Sequence, residues 1–467
     1  MIKTKIVCTI GPASWDQEVM RQMIAQGMNC ARVNGAFADT DELDKVRKLV
    51  RNVSNDVSLM VDVKGPEVRM NKFAQPIPVK INDTLIIGNT EKDTIYPANY
   101  KDLYKFVKPG QRILVGDGDT ELIVEKIVGD QMYCTVTYGE VIKPGKALNL
   151  PGCQYSTDIL TEKDRENLRH AIKTGWEFVS ASFIQDAASA KYIKEFIGDA
   201  PMKLIAKIEN QAGVDNIDEI LDIVDGIMVA RGGLGVELGL EKVPPVQKIL
   251  IEKANKMGKI VIAATQMLES MVNAPRPTRA EVNDVAVAIY QGADCVMLSA
   301  ETSAGKYPVS CVAMMRTIAG EIEKHLEPHI NNSMIPYAMT ADGLTKAAAQ
   351  LCASLGQHID SVIIVSKTGT TARLLGRHRI KQPIHVFTSN QFYKNTLMLT
   401  KGISTVGIFE GISRNSASFD RDDAITLIVK KAFEAGAIKK GQRILLIGKT
   451  PAMSEEYFPN IFEIVGV

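Results

Sequence analysis

Long hydrophobic runs are what this sequence most clearly lacks. No uninterrupted apolar stretch in its 467 residues approaches the ~20 needed to cross a bilayer as a helix, so no membrane partner is expected. An excess of charge of one sign is missing too. Lysine and arginine number 55 against 54 aspartates and glutamates, well mixed along the chain, so no long-range field draws in nucleic acid. Histidine is scarce: there are six, none in an HExxH pair and five beyond residue 320, which gives histidine acid/base catalysis in the rest of the chain little support. The seven cysteines (Cys8, Cys30, Cys134, Cys153, Cys295, Cys311 and Cys352) show no CxxC spacing, which argues against zinc and disulfides and for buried thiols in a reducing compartment. The opening stretch KTKIVCTI is too short and too charged for a secretion signal, so the cytoplasm is the expected location.

What is present is a regular alternation. Short apolar runs, most followed by amphipathic stretches such as DELDKVRKLVRNV and RAEVNDVAVAIYQG, form the pattern of βα units and a parallel sheet. Eight strands are predicted, at 5–10, 30–33, 59–63, 178–183, 203–208, 226–230, 260–264 and 295–298. Eight consecutive units indicate an α/β fold of the TIM (β/α)8 barrel type; seven would fit an open doubly wound sheet. A chain of this length makes about three domains, and two breaks in the alternation supply the others. Residues 70–151 change to strict alternation and turns, as in QRILVGDGDTELIVEKIVGDQMYCTVTYGEVI, and read as an inserted all-β lid domain on the barrel's C-terminal face. Residues 331–467 read as a separate C-terminal α/β domain, which leaves 1–69 and 152–330 for the barrel.

In such a barrel the chemistry sits where the strands end. The polar residues just past the predicted strands are Arg32 and Asn34; Asp62, Lys64, Glu67 and Arg69; Lys207 and Glu209; Arg231, Gly232 and Gly233; Thr265 and Gln266; Ser299 and Glu301. Several cations with a few carboxylates and a glycine-rich segment suit a small, multiply anionic phospho-acid held with a divalent ion. The same charges would also serve as salt-bridged rims of the barrel. KIEN, residues 207–210, is the most informative group, because Lys207 and Glu209 lie one residue apart on a strand and share a face. Lys207 would stabilise charge on a transferring phosphoryl group or enolate, and Glu209 would bind Mg²⁺; a plain ion pair is the structural alternative. GIMVARGGLG, residues 226–235, reads as a strand running into a glycine loop whose bare N–H groups suit a phosphate or carboxylate. Thr265 would hydrogen-bond a carboxylate or a relayed water, or only its own backbone.

These residues stand within longer stretches: TKIVCTIGPAS, DVKGPEVR, NLPG, KIENQAGVDNIDEIL, DGIMVARGGLGVE, ATQMLESM, PRPTRAEVNDVA and VMLSAETSAGKYP. Through them the chain resembles the pyruvate kinase family over almost its whole length. The resemblance implies phosphoryl transfer from phosphoenolpyruvate to ADP, giving pyruvate and ATP in glycolysis, with Mg²⁺ (or Mn²⁺) and usually K⁺, in a homotetramer. By position, Lys207 is similar to the family's catalytic lysine, Glu209 to a Mg²⁺ ligand, Arg32 to an arginine contacting the phosphoryl group and Thr265 to the substrate threonine. Gly232 and Gly233 would receive the substrate carboxylate, Arg69 and Lys146 would meet the nucleotide, and Asn34 and Asp62 would be potassium ligands.

The departures from the family pattern fall on the ions. Where the family has Arg-Gly-Asp-Leu-Gly, this chain has Arg231-Gly232-Gly233-Leu234-Gly235, so a second carboxylate on the divalent ion is missing. The family's Asn-Phe-Ser-His-Gly is Asn34-Gly35-Ala36-Phe37-Ala38, and Val63 stands where threonine is usual, which thins the potassium site. Members that work without potassium tend to carry a lysine where this chain has Glu67. Glu237 and Asp225 are close in sequence to Gly233, but neither is an evident substitute, and Asp225 precedes its strand and belongs at the opposite end of the barrel. Mg²⁺ often keeps several waters and uses only one or two carboxylates plus substrate phosphates, so Glu209 alone is compatible with turnover. The alternatives are a catalytically impaired relative with a regulatory or effector-binding role, and a metal-light enzyme acting on an enol or 2-oxo acid.

In the C-terminal region SKTGTTAR follows the apolar run DSVIIV and opens a helical pattern. Ser366, Lys367, Thr368, Gly369 and Thr371 would form a hydroxyl-rich phosphate nest, or only a helix cap. The stretch is similar to the family's effector-phosphate loop, which implies a sugar-phosphate effector. Its partner loop, glycine-rich in the family, reads GKTPAMSEEYFP here and favours a bisphosphate less.

Overall fold

The computed structural model describes residues 2–409, 421–448 and 461–467, apart from 66, 72, 74, 90–94, 101, 117, 154–157, 334, 336 and 337. Eight parallel strands close into a barrel: β1 (Lys5–Thr9), β2 (Met28–Asn34), β3 (Ser58–Val63), β4 (Phe178–Ala181), β5 (Lys203–Ile208), β6 (Gly226–Ala230), β7 (Ile260–Ala264) and β8 (Cys295–Leu298). The strands pair in chain order and β8 returns to β1, with Lys5 opposite Cys295, so the ring has no open edge and the doubly wound alternative falls away. The strands are mostly apolar because both faces are buried, with the charged Arg32, Asp62 and Lys207 towards the C-terminal ends of their strands. Val7, Cys30, Met60, Phe178, Ile205 and Met228 fill the interior, and the outward residues pack on the helices. The helix Thr40–Val53 illustrates the outer layer: Asp39 caps it by accepting from Glu42 N, and its Leu43, Val46 and Val50 are buried. β4 stops short of the predicted 183 because Phe183 takes a φ of 58°, a left-handed conformation that cannot continue a strand.

The insert between β3 and β4 builds a six-stranded sheet and a two-stranded ribbon. Its longest strands, Thr120–Val128 and Gln131–Tyr138, begin with strict alternation of buried and partly exposed residues, as a sheet covered on one face requires. Leu85, Ile87, Ile113, Leu122 and Val136 give this layer a core of its own. The C-terminal region forms a five-stranded sheet in the order Ile403–Ile408, Ile384–Thr388, Ser361–Val365, Arg443–Gly448 and Ile461–Gly466, parallel except for the last strand. It packs beneath the barrel: Lys5 Nζ donates to Ile403 O at 2.6 Å, Ser58 Oγ to Asn395 O at 2.8 Å, and Leu399 joins the cluster that fills the barrel interior. The barrel's other end is thereby left to the lid.

Candidate active site

At the C-terminal mouth β2, β3 and β5 bring four charges together. Asn34 and Asp62 are register partners on β2 and β3, and Arg32 on β2 reaches across to Asp62, donating from Nε to Oδ2 at 2.9 Å. A second guanidinium contact, from Nη2, is 2.9 Å from the same oxygen, and Arg32 Nη1 donates to Thr9 Oγ1 at 2.8 Å. Lys207 and Glu209 share a side, as their spacing predicts. Lys207 Nζ donates to Ser182 Oγ at 2.6 Å and lies 3.5 Å from Asp62 Oδ1 and 3.6 Å from Glu209 Oε2. Burial by itself would pull the lysine down, yet Asp62 and Glu209 outweigh it and hold the ammonium above its ordinary value. Burial would raise Asp62, but Arg32 and Lys207 keep it below the usual carboxylate range. Glu209 goes the other way: burial pushes it up, and Lys207 with the Phe183 N–H, which donates to Oε1 at 2.8 Å, only partly offsets this.

The glycine segment corrects the sequence reading. Arg231–Leu238 is an α-helix that starts directly after β6, so Gly232 and Gly233 form its first turn and not a loop. Gly232 N donates to Thr265 Oγ1 at 2.8 Å, which commits one of the amides expected to be bare. Thr265 and Gln266 have φ of 68° and 52°; for a β-branched threonine this is a strained backbone, of the kind that persists at ligand sites. Arg231 secures it by donating from Nε to Ala264 O and from Nη2 to Thr265 O, while Nη1 pairs with Asp284. Gly233 has no room for a side chain in this arrangement, because a Cβ there would stand 2.8 Å from Glu209 Cβ.

Glu209, Gly232 and Gly233 border an open cleft of about 190 Å³ that continues to Asn149 on the lid side. Glu67 and Glu237 line it as well. Glu237, set aside on sequence grounds, enters because the glycines wind into a helix that carries it round to the cleft, where its Oε1 accepts from Gly152 N at 3.1 Å. Asp225 is at the opposite end as expected, paired with Lys194 and Lys203. Ser182 and Phe183 are the partners that sequence reasoning missed; a serine directly after β4 was the available signal, since the other strand ends carry polar site residues. Glu301 and Ser299 play no part in the cleft lining: buried Glu301 accepts from Leu268 N and Ser299 N and ties two loops together.

A family model described as the pyruvate kinase barrel domain matches residues 1–312, and one for the pyruvate kinase alpha/beta domain matches 342–465. The chain belongs to the pyruvate kinase family. It is 37% identical to a pyruvate kinase of Clostridium acetobutylicum over 97% of each chain. It is 39% identical to one of Geobacillus stearothermophilus over 96% of this chain and 78% of the relative, and 35% identical to one of Trypanoplasma borreli over 95% and 91%. With these full-length likenesses, the chain is a pyruvate kinase-type phosphotransferase.

The remaining positions expected from the family lie outside the charge cluster. Arg69 is at the root of the lid, donating from Nε to Glu67 Oε2 at 2.8 Å and from Nη1 to Gly145 O at 2.7 Å. Lys146, on the lid, has Nζ 3.8 Å from Asp119. Asn34 Oδ1 accepts from Ala36 N at 3.2 Å. Ser366, Lys367, Thr368 and Gly369 connect Ser361–Val365 to the short helix Thr370–Gly376, which contains Thr371; Gly369 sits at φ 79°, and Thr368 Oγ1 lies 3.1 Å from Thr370 Oγ1. The partner loop GKTPAMSEEYFP falls almost wholly outside the described residues.

Proposed function

We propose that this chain transfers the phosphoryl group of phosphoenolpyruvate to ADP, with Lys207 as the catalytic cation. The observation that carries the reading is a largely buried ammonium kept charged at the barrel mouth by Asp62 and by Glu209, which itself lines an open cleft, in a chain of this family. The P–O bond to the enol oxygen breaks as a terminal phosphate oxygen of ADP bonds to phosphorus, and the enolate left behind takes a proton to become pyruvate. Lys207 and Arg32 stabilise the charge on the moving phosphoryl group and the enolate oxygen. Asp62 orients both cations without touching substrate. Thr265, held in its strained conformation, and the first turn of the Arg231–Leu238 helix receive the substrate carboxylate at the positive end of the helix dipole. Arg69 and Lys146 reach the nucleotide from the lid side.

For Mg²⁺ (or Mn²⁺) the donors suit a minimal site. Glu209 is a hard oxygen donor whose Oε2 has, among the described residues, only the long Lys207 contact, and phosphate oxygens of the substrates supply further ligands. When bound, the ion acts as a Lewis acid on the phosphoryl and enolate oxygens. The K⁺ position does not fit as well. Asp62 is occupied by Arg32, Ser180 and Lys207, Asn34 is turned to Ala36 N, and Ala36 offers no hydroxyl, so no step is routed through K⁺.

Three further parts of the reading rest on family likeness: a sugar phosphate at Ser366, Lys367, Thr368, Gly369 and Thr371, a homotetramer, and a cytoplasmic location. Among the described residues no helix is long and apolar enough to cross a membrane. The domain division at 1–69 with 152–330, 70–151 and 331–467 belongs to the same proposal. The test is pyruvate formation from phosphoenolpyruvate and ADP with Mg²⁺ or Mn²⁺. Wild type is expected to turn over, and Lys207→Met to lose roughly 10²–10³ in kcat. A wild type at background with every metal, folded and binding phosphoenolpyruvate, would overturn the reading in favour of an impaired, regulatory relative.

A further inference from the structure

Arg231 opens the Arg231–Leu238 helix, yet its buried guanidinium is engaged by the protein and does not join the lining of the cleft. Two of its nitrogens hold consecutive carbonyls at the end of β7: Nε donates to Ala264 O at 3.1 Å and Nη2 to Thr265 O at 2.5 Å. The next residue adds a third bond, from Gly232 N to Thr265 Oγ1 at 2.8 Å. Thr265 needs such a grip. A β-branched residue at φ 68° is strained, and that conformation persists only where the surrounding contacts over-determine it.

A buried guanidinium also needs a counter-charge, which backbone carbonyls do not supply. Asp284 supplies it. Its Oδ1 accepts from Arg231 Nη1 at 2.6 Å, and it is the one carboxylate within 4.0 Å of this guanidinium among the described residues. The third nitrogen of the planar fork is thereby fixed as well, and with it the orientation of the whole group. Asp284 stands on the outer helix Arg279–Tyr290, its side chain 36% exposed, and it is not among the residues lining the cleft. The same helix makes a second tie to the segment after β7, because Glu281 accepts from Ser270 N at 2.7 Å and from Ser270 Oγ at 2.6 Å. Residues three apart share a helix face, so one face of Arg279–Tyr290 holds that segment at Thr265, through Arg231, and again at Ser270.

We propose that Asp284 is a positioning residue for phosphoenolpyruvate: acting through Arg231, it sets Thr265 and the first turn of the Arg231–Leu238 helix in the relation that receives the substrate carboxylate. This rests on the carboxylate assignment proposed above, and it places part of the substrate affinity on a side chain that touches no substrate. The nucleotide contacts assigned to Arg69 and Lys146 do not pass through Asp284. Removing the aspartate should therefore weaken phosphoenolpyruvate and spare ADP.

The experiment compares the full-length wild type with Asp284→Ala and with Asp284→Asn, which keeps an oxygen for Arg231 Nη1. Two quantities are measured: KM for each substrate in the pyruvate assay with Mg²⁺, and the calorimetric Kd of phosphoenolpyruvate with Mg²⁺ and no ADP. Asp284→Ala should raise the KM and the Kd of phosphoenolpyruvate about tenfold or more, since a misplaced binding group loses most of its effect. The KM for ADP should stay within about twofold and kcat within about threefold, as loss of a contact made equally in ground and transition states requires. Asp284→Asn should recover most of the affinity. The exposure of Asp284 lets water take its place at Arg231, so the alanine variant should fold; Asp284→Ser, with room for a bridging water, carries the same expectation if it does not. An alanine or serine variant that binds phosphoenolpyruvate as tightly as wild type overturns the proposal, and so does an equal rise in both KM values, which marks a merely structural role. A wild type that binds phosphoenolpyruvate without turning it over sinks the kinase reading and leaves the Kd comparison to decide this one; a wild type that binds none overturns both.

Discussion

Glu177 and Glu209 are glutamates at opposite ends of the same barrel, one directly before β4 and the other directly after β5. Glu177 is buried and Glu209 largely so, and desolvation pushes both above the ordinary glutamate value. They differ in what answers them. Glu177, at the floor, accepts from Leu59 N at 2.7 Å, Arg51 Nη2 at 2.8 Å and Asn395 Nδ2 at 2.7 Å. Three donors from the protein answer its two oxygens, and it joins the barrel to the C-terminal layer. Glu209, at the mouth, has one amide and a lysine at 3.6 Å, and its remaining capacity faces the cleft. A buried carboxylate that the fold leaves partly unanswered is the one available to a ligand.

This contrast can be broken from either end. The largest effect is expected at the floor: Glu177→Ala should cost about 3–5 kcal/mol of stability, because it leaves Leu59 N and Asn395 Nδ2 unanswered in a buried site and takes the carboxylate from Arg51. The turnover of the folded fraction should be unchanged, which denaturant titration and an active-fraction assay would establish together. At the mouth the signs reverse. Glu209→Gln should leave Tm nearly unchanged or raise it, and should lower turnover roughly a hundredfold, the equivalent of about 2.7 kcal/mol of metal assistance. The wild-type acid limb sharpens the same point. Glu209 must ionise to meet a cation and its pKa lies above the ordinary value, so metal-dependent kcat/KM should fall as pH drops towards that raised value. Higher Mg²⁺ should move the limb to lower pH, by linkage.

Gly233→Asp is the subtler test. From sequence it restores a missing ligand, but a Cβ at 233 would stand 2.8 Å from Glu209 Cβ, so the helix or strand end must shift. We expect a loss of about 1–3 kcal/mol in stability from overpacking and no gain in kcat/KM. A gain of tenfold or more with unchanged stability would show that the helix moves freely. The smallest effect is expected from the monovalent cation: replacing K⁺ by Na⁺ or a tetraalkylammonium ion at constant ionic strength should leave kcat/KM within about twofold, given that Arg32, Lys207 and Ser180 already occupy Asp62. A rate that collapses without K⁺ would return Asn34 and Asp62 to the role their positions imply.

Much of this was written in local pattern. The ranges of β5, β6, β7 and β8 match the predicted runs; β6, β7 and β8 are apolar throughout because both faces are buried, and β5 departs only at Lys203 and Lys207. Lys207 and Glu209 meet because two residues along a strand always face the same way. Other features had no local signature. Ser182 meets Lys207 across 25 residues, and Phe183, with its left-handed backbone, donates its N–H to Glu209 across 26. The run of glycines suggested a loop, since glycine disfavours helices, but tertiary packing against Glu209 and Thr265 overrode that weak preference.

The order of the chain therefore determined the barrel, the insert, the C-terminal layer and which charged residues arrive at the mouth, because side-chain periodicity and strand ends are local properties. Only the tertiary structure decided which of those charges are satisfied by the protein and which remain open to a ligand. That depends on distances between segments far apart in the chain, and hydrogen bonding and desolvation act through distance alone.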